Sequence, residues 1–276
     1  MSGLPYIYVP ADGPMTPVVV SVPHAGLRIP DEDRDLIVAD DRTLLRDADL
    51  YVDRLYRDAA HLGASMLAAT VSRYVLDLNR STSDVDPPTC MDWEHYGKAN
   101  AKGLVWREST DGHRVLARPL TRAELQDRID RVHTPYHSKL RELLEERREH
   151  FGYAILLDAH SMPSVGRKGH ADEGVRRADV VPGNNHGASC SPEMTDLVVA
   201  HFEESGFGVS VNEPYSGGYI TRSYGQPDQG IHAIQVELNR ALYLNEDIPS
   251  WAGERSSRLV RATHELVVKL TTLNLS

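Results

Sequence analysis

Tyr153-Ala154-Ile155-Leu156-Leu157-Asp158-Ala159-His160-Ser161 is the stretch on which the fold turns. A short, continuous apolar run closed by polar residues reads as a buried strand over 153–158. A second such run, Val18-Val19-Val20-Ser21-Val22, is followed by Pro23-His24-Ala25-Gly26 and reads as a strand over 17–22. In an open α/β sheet, ligands bind beyond the carboxyl ends of the strands. His24 and His160 each sit just past an apolar run, so two imidazoles arrive there from separate strands and can converge on one metal ion.

The neighbouring segments fit a sheet of this kind. Residues 42–62 read as one helix, with Leu45, Ala48, Val52, Leu55 and Ala59 forming an apolar stripe and Gly63 the stop. Residues 65–70 and 74–78 read as short strands. Thr121 and Glu124 have the spacing of a capping box, opening a helix to about 150 that Pro135 would kink. Further on, 192–205 reads as a helix, 207–212 and 231–238 as strands, and 254–273 as a closing amphipathic helix. Residues 164–178 are polar and Gly-rich and read as loop. The order of elements predicts an α/β fold with a mostly parallel, doubly wound sheet. No linker or repeat divides the chain, which reads as a single domain over 1–276. Residues 81–119 form a long excursion from it, suited to a lid or rim. Within the excursion, 104–106 and 115–117 suggest a hairpin around Asp111-Gly112.

Composition bounds the function. The chain has 276 residues, 41% of them hydrophobic and 25% charged, enough for a sizeable core. A formal charge of −10 and the lack of a basic patch argue against a nucleic-acid partner. Only Cys90 and Cys190 occur, read as reduced thiols of a cytoplasmic protein rather than a disulfide. Neither a signal peptide nor a membrane-spanning run is apparent.

Several polar residues stand where chemistry needs them. A catalytic zinc takes three protein ligands and keeps one position for water. His24 and His160 supply two. Asp49, bordering the apolar stripe of its helix, is the choice for the third; the alternative is a solvated helix acid. Zinc follows from the ligand types, and iron, cobalt or manganese also suit a His/carboxylate site. Asp158, two residues before His160 on the same strand face, is suited to orienting a ligand imidazole. Glu237, in Ile234-Gln235-Val236-Glu237-Leu238-Asn239-Arg240, ends an apolar strand, where a carboxylate is costly to bury without a task or a partner. It is either the general base for a metal-bound water or half of an ion pair with Arg240. Arg73 precedes another apolar stretch, which Asn79 and Arg80 close. Arginine binds carboxylates in a fork, and a tetrahedral oxyanion also needs a donor, so Arg73 and Arg80 can divide those tasks or form structural salt bridges. Gly217-Gly218 allows tight turns near a ligand, and Tyr219, Thr221 and Arg222 follow it. Ser216 reads as part of a surface turn. Ser161 lacks a Gly-x-Ser-x-Gly elbow, which argues against serine hydrolysis.

These segments together resemble the N-formylglutamate amidohydrolase family. The resemblance rests on Ser21-Val22-Pro23-His24-Ala25-Gly26, Asp49-Leu50-Tyr51-Val52, Leu76-Asp77-Leu78-Asn79-Arg80, Asp158-Ala159-His160-Ser161-Met162-Pro163, Ala178-Asp179-Val180-Val181-Pro182-Gly183 and Gln235-Val236-Glu237-Leu238-Asn239-Arg240-Ala241-Leu242-Tyr243. More loosely, the chain is similar to zinc carboxypeptidases and aspartoacylase. In those, an early His and acid plus a later His hold zinc, an Asn-Arg segment grips the substrate carboxylate, and a late strand glutamate is the base. Two departures stand out: Leu27 replaces the glutamate of the carboxypeptidase His-x-x-Glu, which turns the search for the acidic ligand to Asp49, and the Arg73-to-Asn79 spacing is one residue shorter than in aspartoacylase.

The resemblance implies a three-layer α/β/α sandwich with a mixed sheet of about eight strands, of the zinc-carboxypeptidase-like (phosphorylase/hydrolase-like) type. It also implies a cytoplasmic, zinc-dependent amidohydrolase that cleaves N-formyl-L-glutamate to formate and glutamate in histidine degradation. The alternatives are a deacylase or carboxypeptidase acting on another N-acylated acidic amino acid, and a noncatalytic amino-acid binder.

Overall fold

Nine consecutive buried residues, Ala154–Met162, form the central strand of the computed structural model, which describes residues 3–94, 96–97, 100–168 and 170–275. The strands of the main sheet are β1 (Tyr6–Val9), β2 (Val18–Val22), β3 (Ser65–Ala69), β4 (Ala154–Met162), β5 (Val180–Gly183) and β6 (Ile231–Asn239). They make one sheet in the order β1-β3-β2-β4-β6-β5. The β3-β2-β4-β6 centre is parallel, and β1 and β5 close the two edges antiparallel. Among the described residues the fold is thus α/β with a mixed main sheet of six strands, not eight.

Two expected strands are absent for physical reasons. Over 74–78 the chain turns: the Val75 and Leu76 N–H groups donate to the Ser72 carbonyl, and the Tyr74 N–H to its hydroxyl. Val75, Leu76 and Leu78 are buried by packing on the sheet, with no ladder. Over 207–212 only Val209 bridges, to Val180, and Asn212 takes a left-handed conformation (φ 64°) that ends extension.

The helices are α1 (Asp41–Asp47), α2 (Val52–Leu55), α3 (Arg122–Arg128), α4 (Thr134–Phe151), α5 (Pro192–Glu204), α6 (Tyr219–Tyr224) and α7 (Ser257–Thr272). On one face, Val20, Ile155, Leu157 and Val236 pack with Val52, Val198, Phe202, Leu259 and Leu266. On the other, Val19, Leu67 and Leu156 pack with Leu125, Val132, Tyr136 and Leu140. Burial on both faces is why the central strands read as unbroken apolar runs.

The helix expected over 42–62 is broken. α1 stops at Asp47, Ala48 is extended, and Tyr51 is left-handed (φ 63°) before α2 and a 3-10 turn over Arg57–Leu62. The break lets the Asp49 N–H donate to the His24 carbonyl at 2.9 Å. The Thr121–Glu124 capping box forms as expected. Between α3 and α4, before Pro135, lies a π-helical turn, Ile129–His133, with the Thr134 N–H reaching the Ile129 carbonyl. The closing helix begins at Ser257, after a short 3-10 turn.

The excursion over 81–119 is anchored by buried side chains, among them Cys90, Trp93, Leu104, Trp106 and Val115. Its hairpin closes nearer the turn than expected. Glu108 bridges Arg114 around Gly112 (φ 80°), whereas Leu116 bridges Ile37. Cys90 and Cys190 are both buried free thiols. No helix among the described residues is long and apolar enough to cross a membrane.

Candidate active site

The carboxyl edge of the parallel centre gathers the polar groups. His24 lies two residues past β2. His160 lies inside β4, not past its end, and is the ladder partner of Glu237 on β6. The period-two alternation of a strand puts Asp158 on the His160 side of β4 and Gln235 on the Glu237 side of β6. Asp49 comes from the break between α1 and α2.

The two imidazole rings lie 4.9 Å apart at their centroids. One ligand atom from each of His24, Asp49 and His160 falls within 4.8 Å of the others, and all three residues are buried. Each ring turns Nδ1 toward the same oxygen, Asp49 Oδ2, at 3.5 Å from His24 and 3.1 Å from His160. Each Nε2 faces its own carboxylate: Asp77 Oδ1 at 2.7 Å for His24 and Asp158 Oδ2 at 3.2 Å for His160. An imidazole held this way at one nitrogen offers the other as a lone-pair donor to a metal. The remaining Asp49 oxygen accepts from Arg240 at 2.9 Å and from the Ser161 hydroxyl at 3.2 Å, so Oδ2 is the one aimed at the histidines. Two imidazole nitrogens and a carboxylate oxygen, convergent and buried, can hold a divalent cation.

The carboxylates differ in charge state. Burial works against ionisation of Asp49, but hydrogen bonds with His160 and His24 and the charge of Arg240 hold its pKa well below the usual range. Burial likewise opposes Asp77, and Arg73 and His24 outweigh it. Glu237 is the reverse case. Burial pushes its pKa up to about 7, with His160 pulling down and Asp49 pushing up. Among the described residues it has no ion-pair partner, and its bond is from the Gln235 amide at 3.0 Å. Arg240 pairs with Asp49 instead, so the Glu237–Arg240 ion pair does not form.

A cavity of about 390 Å³ opens from this cluster. Arg73, Arg80, Lys102, Arg167, Arg222 and Arg240 line it, against Asp47, Asp49 and Glu237. Asp77, Asp47 and Asp49 engage Arg73, Arg167 and Arg240 at 2.7, 2.7 and 2.9 Å. Arg80, Lys102 and Arg222 have no carboxylate partner among the described residues. In a chain of formal charge −10, this is locally uncompensated positive charge facing a cavity, which suits a carboxylate ligand.

Asn79 lies between the metal-capable cluster and the cavity wall. Its Nδ2 is 3.3 Å from His160 Nε2, and its Oδ1 accepts the Ile220 N–H. His137 and His133 bond the Leu78 and Arg80 carbonyls at 2.9 and 3.1 Å and pin the chain on either side of it. Arg73 lines the cavity with its guanidinium 4.4 Å over the Trp106 ring, but Nε and Nη2 are engaged by Asp77. Thr221 and Tyr219 do not line the cavity. Thr221 donates to Asp158 Oδ2 at 3.2 Å, and Tyr219 packs against His133 and His137. Ser216, read as surface turn, does line it.

Sequence patterning does not single out Asp77, Gln235, Arg167 or Lys102. Asp77 stands in the same short motif as Asn79 and Arg80, and its period-two spacing from Asn79 is the signal that was available. Arg167 and Lys102 sit in irregular segments where spacing carries no such signal.

A mixed α/β sheet with a buried His-Asp-His centre at its carboxyl edge, opening on a pocket lined by cations, defines a class of metal-capable α/β proteins. The chain belongs to the N-formylglutamate amidohydrolase family, whose sequence profile it matches over residues 16–244. It is 38% identical over 236 residues to the N-formylglutamate deformylase of Pseudomonas putida, covering 84% of each chain. To the N-formylglutamate deformylase of Pseudomonas aeruginosa it is 39% identical over 240 residues, with the same coverage. The crystal structure of N-formylglutamate amidohydrolase from Ralstonia eutropha JMP134 superposes with a TM-score of 0.87 at 28% identity, over 97% of both chains.

Proposed function

We propose that this protein hydrolyses the formyl amide of N-formyl-L-glutamate to formate and L-glutamate, with Zn2+ held by His24, Asp49 and His160. The observation that carries the reading is Glu237: a buried carboxylate with a pKa raised to about 7, free of any cationic partner among the described residues, across the ladder from His160. When bound, zinc supplies a polarised carbonyl and an acidified water.

The chain's own groups do the rest. Glu237 takes the proton of the attacking water and returns it to the departing amine, which needs a carboxylate with a pKa near working pH. Asp77 and Asp158 hold the two imidazoles in one tautomer and orientation. Arg73 provides a donor to the developing oxyanion. Asn79, Arg80 and Arg222 bind the substrate's carboxylate and fix the amide in attack geometry. Thr221 and Tyr219 act through Asp158 and the His133–His137 pair, not by touching substrate.

The test is formate release from N-formyl-L-glutamate by the purified protein, before and after chelation and again with zinc restored. Turnover that is lost on chelation and regained with zinc is expected. Full activity in metal-free protein would sink the reading. Side-by-side assay of N-acetyl- and peptidyl-glutamate separates it from a broader deacylase or carboxypeptidase.

A further inference from the structure

Lys102 and His170 are among the cavity residues that take no part in the hydrolytic step, and they come from two different irregular segments. Lys102 belongs to the excursion over 81–119, and His170 to the loop over 164–178; both line the cavity. The Lys102 backbone is fixed at both ends. Its N–H donates to Asn100 Oδ1 at 2.8 Å, and its carbonyl accepts from Arg80 Nε at 3.3 Å. Its ammonium has no hydrogen-bond or ion-pair partner among the described residues, although the side chain is half-buried. A half-buried ammonium facing a cavity without an anion is a site waiting for one.

His170 adds a neutral donor. Its Nδ1 is 2.9 Å from Arg177 Nη2, and a guanidinium can only donate, so Nδ1 accepts and the ring hydrogen sits on Nε2. Asp172, itself held by Arg177 at 2.6 Å, is 4.0 Å from that nitrogen and outside hydrogen-bond reach. Burial, then Arg177 and Lys102, hold the imidazole pKa below its ordinary value, which agrees with a neutral ring. Lys102 and His170 line the same cavity.

We propose that Lys102 and His170 form a second carboxylate subsite, separate from the Asn79–Arg80–Arg222 group, which binds the side-chain carboxylate and makes the enzyme selective for acidic N-acyl amino acids. The inference rests on the amidohydrolase reading and adds to it the residues that choose the side chain. A substrate with two carboxylates carries its second charge beyond the reach of the first cationic locus, so a second locus is needed to receive it. The division of labour is therefore α-carboxylate to Arg80 and side-chain carboxylate to Lys102.

Because Arg80 bonds the Lys102 carbonyl, which every residue retains, Lys102→Met removes the ammonium and leaves that tether. The readout is the ratio of kcat/KM for N-formyl-L-glutamate to that for N-formyl-L-glutamine, a near-isostere differing by one charge. In Lys102→Met this ratio should fall about 10- to 100-fold, mainly through KM for the charged substrate. Lys102→Arg should retain most of the preference, and His170→Phe should lower it by about 3- to 10-fold. Parallel losses on both substrates, or an unchanged ratio, would overturn the proposal. Should the unmodified protein release formate from neither substrate, the hydrolytic reading fails on its own. The subsite is then judged by calorimetry with L-glutamate and L-glutamine. Selective loss of L-glutamate binding in Lys102→Met supports it, and equal binding of the two by the unmodified protein refutes it.

Discussion

The parallel-strand edge and the cavity wall built outside the sheet solve different problems. At the edge, β2, β4 and β6 present His24, His160 and Glu237, and every one of these side chains has a hydrogen-bond partner within the protein. Its aspartates are matched, with Glu237 the exception: Asp77 to Arg73 and His24, Asp158 to His160, Asp49 to Arg240. On the wall, Arg80, Lys102 and Arg222 have no carboxylate partner among the described residues and line the open volume. Ladder registry fixes where reacting groups stand, while segments outside the sheet supply charge whose partner is the ligand. Damage to the first region should therefore appear in turnover or metal content, and damage to the second in substrate affinity.

The largest effect is expected from Glu237→Gln. Loss of the base should lower kcat by about 10³-fold or more. Zinc content by atomic absorption should stay near that of the unmodified protein, because Glu237 is not among the converging ligand atoms. A variant that lost its zinc would erase the contrast between base and ligands. Arg80→Ala comes next. A charged donor to a carboxylate contributes roughly 1.5–3 kcal/mol, so KM should rise about 10- to 100-fold with zinc retained and kcat changed less. A fall in kcat alone would move Arg80 from the wall to the reacting centre.

Asp77→Asn sharpens the edge itself. Removal of a carboxylate that orients a ligand imidazole should weaken zinc affinity about 10- to 100-fold, measured by competition with a chelator. The variant should also unfold at lower denaturant, because the Arg73 guanidinium loses its ion pair. Unchanged zinc affinity would show that Asp77 serves Arg73 alone. The mildest effect is that of pH. Glu237 must be ionised to act as base, and its pKa is raised to about 7. The kcat/KM profile should therefore fall as pH drops through about 7, approaching tenfold per unit below it. The acid limb should be absent from the residual activity of Glu237→Gln.

Much of the edge was legible from the residues. The runs Val18–Val22 and Ala154–Met162 announce buried parallel strands because both of their faces are covered; His24 follows the first, while His160 and Glu237 are polar residues inside the apolar strands β4 and β6. The capping box at Thr121 is local and formed as read. Other local readings failed where tertiary contacts outweighed periodicity. The apolar stripe of 42–62 is continuous in sequence, yet the chain breaks at Ala48–Tyr51, where Asp49 bonds the His24 carbonyl and three cationic or imidazole partners. The run 74–78 is apolar because it packs on the sheet, and a turn buries such residues as well as a strand does.

The amino-acid order alone thus determined the strand centre, the two imidazoles and the family, since periodicity and short motifs are local properties of the chain. Which nitrogen of each ring faces Asp49, whether Arg240 serves Glu237 or Asp49, and which cations face the cavity unpaired were decided only when segments far apart in sequence met. Charge pairing depends on distance and burial, and neither is written in spacing along a chain.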